Sequence, residues 1–89
     1  MKIQDMEEGM KNVNIEVTID YVPEHYKGKE WGIVYVKDET KDIRMVLMGE
    51  NMKKAREGMK LKVVQGYVTR NRSELQLNTT KEHPVKFVK

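Results

Sequence analysis

The sequence predicts an all-β protein, a five-stranded Greek-key barrel with a short helix between its third and fourth strands. Three observations predict this fold. Apolar and polar residues alternate in several segments, which is typical of strands buried on one face. A short stretch with helical spacing lies between two of these segments. The order strand, helix, hairpin is the one in which such a barrel carries its helix.

The chain has 89 residues, which is enough for one domain over 1–89 and leaves no room for a second core. It contains no cysteine, so disulfide scaffolds, thiolate zinc sites and cysteine nucleophiles are excluded. No apolar run approaches the roughly 18 residues of a membrane span, and the start does not resemble a secretory signal. We therefore expect a cytoplasmic, nucleoid-associated protein with no membrane partner.

Charge is distributed unevenly along the chain, although the net charge is only +3. Residues 1–20 contain two basic and five acidic side chains, whereas the remaining 69 contain fifteen basic and nine acidic ones. The basic surplus therefore lies after residue 20. This surplus fits a polyanionic partner as well as an ordinary lysine-rich surface.

The first strand follows a short lead-in. Residues 3–10 are predicted as a turn that Asp5 caps and Gly9 ends. From Asn12 the alternation has a period of two over eight residues, and Pro23 ends or bends the strand. The side chains that share one face are Val13, Ile15, Val17 and Ile19.

The second and third strands follow a polar loop at 23–30 and are joined by a turn at 38–42. The second strand is Trp31–Lys37, in which we expect the valines to point inward and the aromatic residues outward. The third begins at Ile43 and closes at Gly49. Its two alternating sets are Ile43, Met45 and Leu47 on one face and Arg44, Val46 and Met48 on the other.

Residues 50–57 have the helical spacing, with Asn51 as the expected cap and Gly58 as the end. The fourth strand is predicted at about 60–69, with a bend or bulge at Gly66. A hairpin at 70–74 leads to the fifth strand at 74–78. The tail at 84–88 is expected to add a short strand.

Catalysis has little support in the sequence. Ser73 is the only serine and has no histidine near it in the chain, and His25 and His83 lie in separate loops without metal-ligand spacing. No glycine-rich phosphate loop precedes a helix. We expect a protein that is not an enzyme and that uses no metal or cofactor.

Nucleic-acid binding has more support, because single strands are held by basic grooves and by aromatic faces on which bases stack. The outward face of the second and third strands, the loop before them and the hairpin after the fourth strand converge on one side of such a barrel. The predicted binding residues are Trp31, Tyr35, Met48, Arg44, Tyr67, Arg70, Asn71, Arg72, Lys27 and Lys29.

Several segments, in this order, resemble the OB-fold domains of archaeal replication protein A and related single-stranded DNA-binding proteins. The segments are Asp38-Glu39-Thr40, Leu47-Met48-Gly49, Glu57-Gly58, Gly66-Tyr67 and Leu75-Gln76-Leu77-Asn78, with an opening at residues 3–6 and 9–13 that also fits. The resemblance covers nearly the whole chain. It implies binding of single-stranded DNA without strong sequence preference, in DNA replication and repair.

The chain departs from that family at three positions. Members often have tryptophan where this chain has Met48 and an aromatic residue where it has Asn71, and Lys41 replaces a common glycine. Losing two stacking platforms removes roughly 2–6 kcal/mol of binding energy. We expect weak binding by the isolated domain, which can be one repeat of a larger protein with several OB-folds, where linkage raises avidity.

Two alternatives remain open. The domain can instead bind a replication protein or another OB domain, a reading that the missing aromatic residues favour. It can also bind RNA, as the anticodon-reading OB domains of tRNA synthetases do, since only the 2′-hydroxyl separates the two ligands.

Overall fold

The computed structural model describes residues 1–88, and within them β-strands dominate. The strands are β1 (Val13–Tyr21), β2 (Trp31–Lys37), β3 (Asp42–Met48), β4 (Lys60–Asn71), β5 (Glu74–Asn78) and β6 (Lys86–Val88). The one α-helix of the described residues, α1, is Glu50–Lys54. Single turns of 3-10 helix occur at Ile3–Asp5 and Glu24–Tyr26. No helix of residues 1–88 has the length and apolarity to cross a membrane.

The first five strands close into a mixed barrel. The order of hydrogen-bonded strands is β1-β2-β3-β5-β4, and β4 pairs with β1 to complete the circle. The β3–β5 pair is parallel and the others are antiparallel. This is the OB-fold that the sequence predicted. β6 pairs with the first residues of β4, so the short extra strand expected in the tail is confirmed.

The barrel interior is filled by the inward sets of the five strands, as the alternation predicted. In β1 these are Val13, Ile15, Val17 and Ile19, all at most 9 % exposed. Val34 and Val36 point inward from β2, which confirms the assignment of its two faces. Met52 and Ala55 close one end of this core.

The predicted ends of the short elements were partly wrong. Helix α1 stops at Lys54, because Ala55 already has extended backbone angles. Asn51 is inside the helix and does not cap it; its Nδ2 donates to the carbonyl of Val85 across the barrel end. Asp5 does not cap the lead-in turn either, since Asp38 Oδ2 accepts the Ile3 N–H at 2.8 Å.

β4 is longer than predicted and carries the expected bulge. It continues to Asn71, and the register opposite β1 shifts between Val13 and Ile15. Gln65 has a φ of 50°, and a Cβ on Gly66 would lie 2.7 Å from the Asn78 carbonyl oxygen. Glycine is therefore required where the coiled strand passes β5 so closely.

Candidate nucleic-acid interface

One outward face of the barrel is formed by β2, β3, β5 and the second half of β4, and we call it the binding face. Across β2 and β3, Trp31 lies opposite Met48, Ile33 opposite Val46, and Tyr35 opposite Arg44. The face continues onto β5 through the pairing of Arg44 with Gln76, and from β5 onto β4 through three further pairs. These pairs are Tyr67 with Asn78, Thr69 with Gln76 and Asn71 with Glu74.

Large apolar side chains are exposed on the binding face. Trp31 is 57 % exposed, Met48 67 % and Tyr67 38 %. Ile33 shares this outward row yet is buried, so the row between the aromatic residues is apolar and dry. Apolar side chains exposed together on one outward face indicate a surface that binds a partner or ligand.

Tyr21 is a member of this face that the sequence did not predict. Simple alternation along β1 places it inward with Ile19, but the register shifts between Ile19 and Tyr21. Tyr21 therefore lies opposite Tyr35, with the two ring centroids 6.4 Å apart, and it is exposed. The sequence signal for this shift is Val22, an apolar residue at a position where the alternation of β1 calls for a polar one.

The loop between β1 and β2 adds an aromatic cluster beside Trp31. The rings of Tyr26 and Trp31 are 5.9 Å apart, and those of His25 and Tyr26 are 4.1 Å apart. Tyr26 packs on the backbone of Gly32, where an added Cβ would lie 2.6 Å from its ring. A hollow of about 420 Å³ in this loop is lined by these aromatic residues with Lys29 and Glu30.

Arg44 is held in the middle of the binding face. Its side chain is 19 % exposed, and its Nη1 donates to Glu74 Oε2 at 3.3 Å. The Nε atom is buried and has no hydrogen-bond partner among residues 1–88. The guanidinium therefore keeps donor capacity, although a carboxylate already offsets its charge.

Neutral polar side chains form a row along β5 and β4. Gln76 Nε2 donates to Asn78 Oδ1 at 2.8 Å, and Asn78 Nδ2 donates to Thr69 Oγ1 at 3.0 Å. Asn78 is buried, and its Nδ2 also reaches the Tyr67 carbonyl oxygen. These bonds tie Asn78 of β5 to the Tyr67 carbonyl and to the Thr69 side chain of β4. The alternation alone did not reveal this row.

The remaining predicted cations are not gathered on the face. Alternation along β4 places Arg70 on the side away from Thr69 and Asn71, and its Nε donates to Glu8 at 3.0 Å. Lys27 pairs with Glu24 at 3.2 Å and lines a hollow next to α1. Arg72 lies in the two-residue hairpin turn with a φ of 61°. Only Lys29 adjoins the aromatic residues, beside Trp31.

Two grooves flank Tyr67. One, of about 280 Å³, lies between the end of β3 and the segment after β5, and its lining includes Val46, Met48, Asn78 and Lys81. The other, of about 370 Å³, lies between β4 and residues 9–12. Tyr67 and Thr80 line both grooves, so the tyrosine is the ridge between them.

The wall of the second groove is the lead-in segment, which is tied down at two points. The Gly9 N–H donates to the Val68 carbonyl and the Val68 N–H donates to the Met10 carbonyl, so the segment adds to the sheet beside β4. Asp38 holds its start through Ile3. Burial alone would raise the pKa of Asp38, but hydrogen bonds from the Thr40 hydroxyl and from the N–H groups of Ile3, Thr40 and Lys41 outweigh it and hold the pKa well below its ordinary value.

The fold is similar to that of three solved structures, two of which are described as HIN domains. The HINb domain of p204 has a TM-score of 0.75 at 20 % identity, covering 99 % of this chain and 46 % of that one. The tetrameric p202 HIN2 has a TM-score of 0.78 at 19 % identity, covering 100 % and 48 %. A murine DNA binding protein bound with double-stranded DNA has a TM-score of 0.77 at 20 % identity, covering 100 % and 47 %.

No protein-family model and no curated protein matches the sequence. The chain spans about half the length of the solved structures that it matches. At 19–20 % identity the likeness establishes the fold alone. It confirms the OB-fold part of the family resemblance and leaves membership of the replication protein A family as a proposal.

Proposed function

We propose that this protein binds single-stranded DNA on the binding face, without strong sequence preference, in DNA replication and repair. The observation that carries the proposal is the exposure of Trp31, Met48 and Tyr67 on one face of an OB-fold barrel. Every base has a π-face, so stacking on such side chains tolerates any sequence and contributes roughly 1–3 kcal/mol per base. The role is binding and not catalysis.

The resemblance to archaeal replication protein A supports single strands over duplex. A duplex keeps its bases stacked on one another, whereas a single strand offers them to Trp31 and Tyr67. The similar murine protein is bound with double-stranded DNA, so duplex is the ligand against which the proposal has to be tested.

The test is a fluorescence anisotropy titration of labelled oligo-dT at low and moderate salt. We expect saturable binding that weakens as salt rises. Unlabelled duplex of the same length and a ribo-oligonucleotide compete in parallel reactions. Stronger competition by duplex or by the ribo-oligonucleotide contradicts the proposed ligand, and no binding at low salt contradicts nucleic-acid binding altogether.

Binding of a protein partner is the second candidate, and the ion pairs favour it. Three of the predicted phosphate contacts are already engaged, as Lys27 with Glu24, Arg44 with Glu74 and Arg70 with Glu8. An apolar patch whose cations are already paired with carboxylates suits another OB domain or a replication protein. In that case Trp31→Ala abolishes capture of the partner while oligonucleotides fail to bind the wild-type protein.

A further inference from the structure

Three of the five cations that sequence patterning placed at the interface already pair with carboxylates. Arg44, Lys27 and Arg70 each lie within 3.3 Å of a carboxylate oxygen. The hollows around two of them contain acidic side chains as well: Asp42 and Glu74 beside Arg44, and Glu57 beside Lys27. A phosphate entering there meets negative charge, which weakens its attraction to the cation.

The two grooves that flank Tyr67 differ in this respect. No aspartate or glutamate lines either groove. Each contains one lysine, Lys11 in the groove beside residues 9–12 and Lys81 in the groove beside β3. Neither lysine forms an ion pair within residues 1–88.

The groove walls also suit bases. Gly9, Gly66 and Val68 line one groove, and Val46, Met48 and Pro84 line the other, so each offers apolar contact to a base. Tyr67 stands between them, and its backbone is held by Asn78. Single strands are held by aromatic side chains that stack on bases and by cations that contact phosphates. Tyr67 and the lysine of each groove supply both kinds of contact.

We propose that Lys11 and Lys81 are the phosphate-contacting residues of this protein, and that the bound strand crosses the sheet over Tyr67 with one base in each flanking groove. This proposal rests on the proposed single-stranded DNA binding and adds the route of the strand over the protein surface. The strand passes from Met48 across Tyr67 to the lead-in segment, instead of following the hairpin toward Arg70 and Arg72.

The test is the salt dependence of oligo-dT binding for Lys11→Ala, Lys81→Ala and the double variant. Each phosphate contact contributes about −0.7 to the slope of log K against log salt. We expect each single variant to make the slope less steep by about 0.7 and the double variant by about 1.4. Lys62→Ala is the matched control, since it removes an exposed lysine from the first half of β4, which lines neither groove, and should leave the slope unchanged.

A second measurement reports the bases directly. An oligo-dT with a single 5-iodouridine, moved one position at a time, is irradiated and the crosslinked peptide is identified. Two consecutive positions should crosslink at Tyr67, because this residue lines both grooves.

The outcomes separate the two proposals. Absence of binding by the wild-type protein overturns both. If the wild-type protein binds and Tyr67→Ala weakens it, but the slopes of the two lysine variants match that of Lys62→Ala, the path is wrong while the function stands. Crosslinks confined to Trp31 and the hairpin lead to the same conclusion. Both lysines are exposed, so these variants should fold as the wild type does, and circular dichroism melting curves check this.

Discussion

The barrel has two contrasting outward faces. The binding face carries Trp31, Met48 and Tyr67, exposed to solvent. The face formed by β1, the first half of β4 and β6 is charged, with Glu16 opposite Lys62 and Lys62 opposite Lys86. We call it the charged face.

The strands of both faces alternate with a period of two. Only the charged face has the polar side chains that are usual on an outward surface. Charged residues on an outward face keep a barrel soluble and need no further explanation. Exposed aromatic residues gain nothing from water, so their grouping on one face indicates a ligand. The candidate site is therefore marked by the outward residues that depart from the usual polarity.

Removing the Tyr67 ring should have the largest effect on the difference between the two faces. Tyr67→Ala should weaken oligo-dT binding roughly tenfold to a hundredfold, since a stacked base contributes about 1–3 kcal/mol. Anisotropy titration measures it. Lys62→Ala on the charged face of the same strand is the control and should bind as the wild type does. Equal affinities for both variants would remove Tyr67 from the site.

Asp38 anchors the lead-in segment, so replacing it tests the stability of the barrel and not the binding properties of its faces. Asp38→Asn should lower the free energy of unfolding at pH 7 by about 1–3 kcal/mol, because a carboxylate that accepts several hydrogen bonds is lost. Urea unfolding measures the difference.

The effect of Asp38 should depend on pH in a defined direction. Its pKa is lowered in the folded protein, so the carboxylate stabilises the fold above the unfolded pKa of about 3.9, and this contribution is lost as pH falls toward the folded pKa. The difference between wild type and Asp38→Asn should therefore shrink below about pH 4. A difference that stays constant from pH 7 to pH 3 would mean that the hydrogen bonds act independently of the charge.

A stacking platform can be added to the binding face. Met48→Trp should tighten oligo-dT binding roughly fivefold, by about 1 kcal/mol, because Met48 is exposed opposite Trp31 and a tryptophan there stacks a base. Thr18→Trp puts the same ring on the charged face and should change affinity little. A similar gain from both variants would show that tryptophan adds nonspecific adhesion.

The smallest effect is expected from releasing Arg44. Glu74→Gln removes the carboxylate that offsets its guanidinium and should raise affinity about twofold to fivefold, in keeping with the strength of an exposed ion pair. Glu16→Gln makes the same change of net charge on the charged face. If both variants gain equally, the effect comes from net charge and Arg44 is not near the strand.

Much of the fold was predictable because it depends on local patterns. The alternation in β1, in β2 and in β3 identified the inward residues, and Gly66 marked the bulge in β4. The helix was the least predictable element, since five residues contain too few turns for spacing to define their ends. Asn51 was misassigned because a cap and a side chain bonded across the barrel to Val85 look alike in sequence.

The site was only partly predictable. Trp31, Tyr35, Met48, Arg44, Tyr67 and Asn71 were assigned to one face, and the register brings them together there. Tyr21 was missed because a bulge reversed its side. The ion pairs of Arg70 with Glu8 and of Arg44 with Glu74 join residues 62 and 30 positions apart, so no local pattern could reveal them.

The sequence by itself determined which residues fill the barrel and that Trp31, Tyr35 and Tyr67 lie outside it, because burial follows a period of two along a regular strand. Only the tertiary structure decided which cations remain free, because that depends on the acidic side chain that closure of the barrel brings to each one. Lys11 and Lys81 are 70 positions apart in the chain, and they flank one tyrosine only because β4 lies between the lead-in segment and the end of β5.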